Sequence, residues 1–343
     1  MFGCRQCGVA LTAPLARVAL PDHARQSYGH GLLPVLMEAG TYAVDPEPWG
    51  PPWRLWSDLG AGEAEARGVF APVPALSYGV PGAIVVAPGD VHGTVLIPGR
   101  CGGHCCGLTG RDGPNLACAH CGREVATRID DCSLWQSVRL DPGAVRRLPG
   151  EAPDESPAGW EALARERRST PPLEPAGYWD PRWEAAAGVT LAHLLVAAEG
   201  SPVALPGGLV TDLFGRALDG FLPPGPAPKT LALAGPGLPD PDPASHLALV
   251  PRHPRTGETW QSPGRAVAVP IADDVWMHLA FHNDRLLVPA TGVLPRGVLR
   301  DDPPPRRPAR LFTPDRRVFL DTLARLPALR EPWLRRVYDA QSG

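Results

Sequence analysis

Two short motifs, Cys4-Arg5-Gln6-Cys7-Gly8 and Cys118-Ala119-His120-Cys121-Gly122, constrain what this chain can fold into more than any other feature. In each, two thiols are separated by two residues and followed by glycine, so a tight turn can aim both sulfurs and nearby backbone N–H groups at one point. Two such knuckles make up a tetrahedral four-cysteine site, Cys4, Cys7, Cys118 and Cys121, whose expected occupant is zinc. A closed site leaves no coordination position for a substrate. It stabilises a domain instead, because metal binding is linked to gathering the ligands. The stretch 8–117 between the knuckles is far longer than in a compact zinc ribbon, so the site is expected to tie distant strands together.

Zinc is preferred over disulfides on compartment grounds. The opening Met1-Phe2-Gly3-Cys4 has no basic segment followed by an apolar run and a cleavage site, and no apolar stretch is long enough to span a membrane. The expectation is a cytoplasmic, reducing setting in which thiols are metal ligands or reactive groups. A formal charge of -3 gives no reason to expect a nucleic-acid coat. Lys229 is the one lysine among 33 basic residues, a bias we read, with abundant Ala, Pro and Gly, as a bacterial-like high-GC coding signature.

With 44 Pro and 38 Gly the chain is too often broken for a helical bundle. Up to about Leu148 it alternates short strand-like runs with turns: Ala75 to Val80, Ala83 to Val86, Thr94 to Ile97, Glu124 to Asp130 and Trp135 to Leu140. Asp45 to Trp53, rich in proline, reads as an extended surface loop. After a linker rich in Pro, Glu, Asp and Ser, helices are expected at Trp160 to Arg168, from Pro181 (capped by Asp180) to Gly200, and at Leu209 to Phe221. Strand-like runs follow at Thr230 to Ala234, His246 to Val250, Ala266 to Ile271 and Val275 to Phe281, with Leu286 to Val288 as a short partner. Helices return at Asp315 to Leu326 and Glu331 to Asp339. The expected class is α+β: a zinc-bound antiparallel β domain at 1–148, a linker with a short helix at 149–179, and a smaller α+β domain at 180–343. Gly235-Pro236-Gly237 lacks the spacing of a nucleotide loop and is given no such role.

The remaining cysteines are Cys101, Cys105, Cys106 and Cys132. The first three flank His104 in Cys101-Gly102-Gly103-His104-Cys105-Cys106-Gly107, and Cys132 follows Asp130-Asp131. Adjacent cysteines rarely serve one metal together, so a second zinc would use Cys101, His104, Cys106 and Cys132. The alternatives are buried thiols packing as small hydrophobes, or a reactive thiolate at Cys105, Cys106 or Cys132 activated by His104 or zinc.

An early Cys-x-x-Cys paired with a late Cys-x-x-Cys-Gly that runs into a strand resembles the β-tent zinc folds: the thalidomide-binding domain of cereblon, Yippee proteins and B-type methionine sulfoxide reductases. The resemblance covers at most 1–148. It implies that Cys4, Cys7, Cys118 and Cys121 are the zinc ligands, and in the reductases a reactive cysteine lies about where Cys132 does. Those reductases carry a Leu-Gly-His strand and an asparagine two residues beyond that cysteine. This chain has Val125-Ala126-Thr127 and Leu134 there, and so lacks the proton donor. The binding relatives line a pocket with aromatic residues, for which Trp49, Trp53, Trp56 and Trp135 are available, although tryptophans commonly just fill a core.

His278 and His282, four apart beside Asp273 and Asp274, lack the glutamate of a metalloprotease helix and read as core or surface histidines. Arg296, Arg300, Arg306, Arg307, Arg310, Arg316 and Arg317 make a basic segment interspersed with aspartates, as on a solvated face. The functional expectation is a zinc-stabilised binding or scaffold protein for a protein or small-molecule ligand. One alternative is a thiol- or zinc-dependent enzyme, redox or hydrolytic, using Cys132, Cys105 and His104. Another is nucleic-acid binding through the arginine-rich segment.

Overall fold

The computed structural model describes residues 1–29, 31–60, 62–101, 107–149, 158–262, 264–282, 286–289, 296–298 and 307–342. They fall into two compact units, Met1–Ala158 with Pro254–Gly257, and Gly159–His253 with Glu258–Gly343.

Frequent proline and glycine keep the strands of the first unit short. They are β1 (Phe2–Cys4), β2 (Ala16–Arg17), β3 (Thr41–Asp45), β4 (Trp53–Leu55), β5 (Ala75–Ser77), β6 (Ala83–Val86), β7 (Thr94–Leu96), β8 (Leu116–Cys118), β9 (Glu124–Ile129), β10 (Ser137–Leu140) and β11 (Val145–Arg147). Seven form one sheet in the order β2-β3-β6-β10-β9-β8-β7, antiparallel throughout except between β2 and β3. Separate pairs join β1 to β11 and β4 to β5. Alternation sends Tyr42, Val86, Val138 and Leu140 to one face, where they pack with Phe2, Leu11, Cys4 and Cys118. Ala43 and Val85 point the other way, among Leu36, Met37 and Trp135. Both faces are covered, which is why Ala83 to Val86 reads as an unbroken apolar run.

That second face also holds a buried charge pair. The register aligns Arg139 with Val85 and Val85 with Ala43, and Asp45 lies two residues along β3. Arg139 donates to Asp45 at 2.7 Å, with side chains 4% and 1% exposed. Arg25 adds a second contact to Asp45 at 3.1 Å and also reaches Glu47, while the Trp49 ring lies 4.8 Å from the Arg139 guanidinium. The expected surface loop from Asp45 to Trp53 is therefore anchored in the core at its first residue.

The second unit contains α1 (Trp160–Glu166), α2 (Pro181–Ala198), β12 (Val203–Ala204), α3 (Gly208–Phe221), β13 (Lys229–Leu233), β14 (Leu247–Arg252), β15 (Val267–Ala272), α4 (Asp273–Phe281), α5 (Arg316–Leu323) and α6 (Pro332–Ser342). The four strands run parallel in the order β12-β13-β14-β15. The Asp180 side chain accepts from the Arg182 N–H to cap α2, Pro181 fills its first turn, and Glu199 and Gly200 leave it in left-handed conformations. Alanine and leucine surround this helix, and it is buried along most of its length. At Gly188 an added Cβ would come within 2.7 Å of the Asp315 carbonyl, so a bare helix surface is what admits α5.

Several expectations need correction. Val275 to Phe281 is helical rather than a strand: Asp273 and Asp274 open α4, and the apolar residues after them are buried around the helix. Leu286 to Val288 is not a strand. The linker expected at 149–179 ends sooner, since Gly159 onward belongs to the second unit, with Trp179 buried and the Trp183 indole donating to the Thr170 carbonyl at 2.9 Å. Residues 150–157 lie outside the described residues. Gly235 is spoken for by packing, because a Cβ there would meet the Trp276 ring at 2.2 Å. No helix among the described residues is long and apolar enough to cross a membrane.

Candidate metal centre

The two knuckles have the same backbone wiring. In the first, Gly8 N–H donates to the Cys4 carbonyl at 2.9 Å and Cys4 N–H to the Val9 carbonyl at 2.9 Å. In the second, Gly122 N–H donates to the Cys118 carbonyl and Cys118 N–H to the Arg123 carbonyl, both at 2.8 Å. Gly8 and Gly122 take φ values of 79° and 75°, the left-handed region that glycine enters without penalty. Each turn thus leaves a strand, β1 or β8, and folds back on it. The first is held by β11, through Cys4 opposite Val145 and Arg5 N–H on the Ala144 carbonyl. The second closes the β8–β9 hairpin and is tied to Gly93 through the Ala119 N–H.

These supports bring four sulfurs together. Cys4 Sγ lies 3.6 Å from Cys121 Sγ and Cys7 Sγ 3.7 Å from Cys118 Sγ, and all four lie within 4.8 Å of one another. Cys4 and Cys118 are fully buried, and Cys7 and Cys121 are half-buried. Burial raises the Cys4 thiol, but N–H donation from Cys7 and Gln6 outweighs it and pulls the pKa down to about 7. Donation from Val9 N–H lowers Cys7, but burial and the three neighbouring sulfurs prevail and push it up to about 12. Four crowded thiols therefore cannot all ionise by themselves. A bound cation removes that conflict, and the group can hold one metal ion. Among the described residues it is the one His, Cys, Asp or Glu group with metal-ligand geometry.

The second zinc set of Cys101, His104, Cys106 and Cys132 is only half visible, because His104, Cys105 and Cys106 lie outside the described residues. Cys101 Sγ donates to the Ile97 carbonyl at 3.2 Å. Cys132 is buried next to buried Asp131, at a turn where Ser133 has φ 65°. Of the four tryptophans, Trp49 and Trp53 meet edge to face, whereas Trp135 is buried in the core and donates to Gln26 at 3.1 Å. In the basic segment Arg310 pairs with buried Glu184 and Arg316 donates to the Gln341 carbonyl, so these two arginines make contacts within the second unit.

The helical form of α4 stacks His278 and His282, with ring centroids 4.2 Å apart, and places Asp274 where it accepts from the Thr170 hydroxyl. Asp273 Oδ1 is buried without a hydrogen-bond partner among the described residues. Burial, and after it the neighbouring Asp274, pushes the Asp273 pKa up to about 7. The folded state then holds this proton more tightly than the unfolded chain, whose aspartate titrates near the usual 3.8. The stability it contributes is complete below about pH 4 and is lost as pH rises to about 7. Asp273→Asn is therefore expected to be more stable than the wild type at pH 8, on the order of 2–4 kcal/mol, with the gap closing at pH 4. Denaturant unfolding at the two pH values checks this, and an equal gap at both would remove the explanation. The burial of the Asp273-Asp274 pair follows from the helical form of this segment, which its apolar run does not show.

No family model, curated protein or solved structure matches the chain.

Proposed function

We propose that the protein is a zinc-stapled binding or scaffold protein, with zinc in a structural role. The sulfur geometry carries this reading: thiolates at Zn–S of about 2.3 Å in a tetrahedron sit about 3.8 Å apart, close to the 3.6 and 3.7 Å here. Four thiolates complete the shell and leave no position for water or substrate. The ion then offsets half of the sulfurs' negative charge and holds β1–β11 to the β8–β9 hairpin, which frees the rest of the β unit to present a surface. Identical wiring of the two knuckles and the antiparallel sheet between them also support the β-tent relation as part of this proposal. The ligand is a protein or a small molecule, and a cytoplasmic setting suits four thiolates kept reduced.

The test combines metal and thiol stoichiometry on the full chain. One zinc per chain, resistant to dialysis, is expected, with Cys132 alkylating no faster in the native protein than a buried thiol. Absence of stoichiometric zinc would overturn the staple. A Cys132 that reacts in seconds, or an open zinc position that binds added thiol or cyanide, would transfer the function to a thiol- or zinc-dependent enzyme.

A further inference from the structure

We propose that a groove in the second unit, between the C-terminal ends of α2 and α3 and one side of α6, binds a small organic anion with a flat apolar body. The groove is open to solvent on one side and has a volume of about 600 Å³. Its apolar walls are Phe221, Pro223, Trp333 and Val337. These walls are fixed from behind. Phe221 stacks on buried Phe319 at 5.6 Å and 5°, and the Trp333 ring lies over Gly200, where a Cβ would sit only 3.4 Å from it. An aromatic surface held on both sides can meet a flat ligand with little ordering cost.

The charge of the ligand follows from which polar groups are already engaged. The acidic side chain at the groove is exposed but ion-paired, and helix-end carbonyls beside it are capped. Glu199 is paired with Lys229 at 2.7 Å, Lys229 also donates to the Ala197 carbonyl at the end of α2, and Ser201 N–H occupies the Ala198 carbonyl. At the end of α3 the Leu218 carbonyl accepts from Leu222 N–H. The one charged side chain lining the groove without an ion pair among the described residues is a donor, Arg336. The Arg336 guanidinium and the Trp333 indole N–H have no hydrogen-bond or ion-pair partner among the described residues, and the Gln341 side-chain amide, which can donate or accept, lines the rim. A carboxylate, sulfonate or phosphate on Arg336, with the attached ring against Trp333 and Phe221, satisfies the donors and covers the aromatic wall together.

The probe pair is 8-anilinonaphthalene-1-sulfonate and N-phenyl-1-naphthylamine, which share a body and differ by the sulfonate. Titrations of the full chain by fluorescence and calorimetry are expected to show one saturable sulfonate site per chain, with the neutral amine at least tenfold weaker. Arg336→Gln should weaken the sulfonate at least tenfold and leave the amine unchanged, while Trp333→Leu should weaken both. Arg317→Gln, which changes an exposed arginine outside the groove, serves as the control and should change neither. No saturable site, equal affinity for the two probes in the wild type, or an unchanged sulfonate affinity in Arg336→Gln would each overturn the proposal. Arg336 is exposed, so circular dichroism of that variant is expected to match the wild type, and the reading does not depend on a damaged fold.

Discussion

Cys118→Ser is expected to abolish stoichiometric zinc and to unfold the first unit while the second stays folded. Structural zinc in zinc-finger peptides contributes apparent folding energies of about 10–16 kcal/mol near neutral pH, against a total stability of about 5–15 kcal/mol for a typical domain. A unit that leans on such a site has no comparable reserve. Cys118 is also the ligand whose loss reaches furthest: it is fully buried, ends β8 between β7 and β9, and packs in the same cluster as Phe2, Leu11 and Val125. Serine would leave three thiols around a weakened site and a hydroxyl in an apolar core. The experiment pairs metal analysis with amide exchange. Protection should collapse in β8 and β9 and persist in α2, which lies in the other unit and is buried along most of its length. Cys101→Ser is the matched control, since its thiol donates to a backbone carbonyl and stands outside the sulfur cluster. Unchanged zinc and an unchanged melting curve in Cys118→Ser would mean that the cluster is not a staple.

The parts of this molecule that were legible in the sequence are those encoded locally. Glycine after each cysteine pair encodes the knuckle, and Asp180-Pro181 encodes the start of α2, because a turn or cap is decided by a few adjacent residues. The meeting of Cys4 with Cys121 was legible for a different reason: metal chemistry requires four ligands, and the two pairs complete each other. Strand identity failed where burial removes the pattern. Trp276-Met277-His278-Leu279-Ala280-Phe281 has no polar face to show a period of two or of 3.6, so an apolar run of that length fits either a buried strand or a buried helix. The parallel order of β12 to β15 was illegible as well, since parallel pairing depends on how crossovers run rather than on any residue within the strands. The Arg139–Asp45 pair escaped notice because its members are far apart in the chain, and each alone looks like an ordinary surface charge.

That pair supports the second large expectation. Asp45→Ala should destabilise the first unit by about 3–5 kcal/mol, the usual cost of removing one partner from a buried pair. Burial by itself raises the Asp45 pKa, but Arg25 and Arg139 prevail and hold it below the usual carboxylate range. In the folded state it is therefore a carboxylate, and its contribution is present at neutral pH and lost as pH falls through that lowered value. With Asp45 gone, Arg139 keeps a guanidinium that is 4% exposed, with Nε already lacking a partner among the described residues and the Trp49 face beside it. Arg25 differs: its side chain is 29% exposed and it still reaches Glu47, so it can turn to solvent. The cost should therefore sit mainly on Arg139. Removing both charges, in Asp45→Ala with Arg139→Met, should recover most of the loss, because methionine fills the space between Val85 and Thr127 without a charge to desolvate. Chemical unfolding of the two single variants and the double variant measures the coupling. Additive losses would place the cost in packing of the Asp45 turn rather than in an uncompensated guanidinium. Recovery in the double variant would show that the buried pair gives no net gain in stability over an apolar replacement.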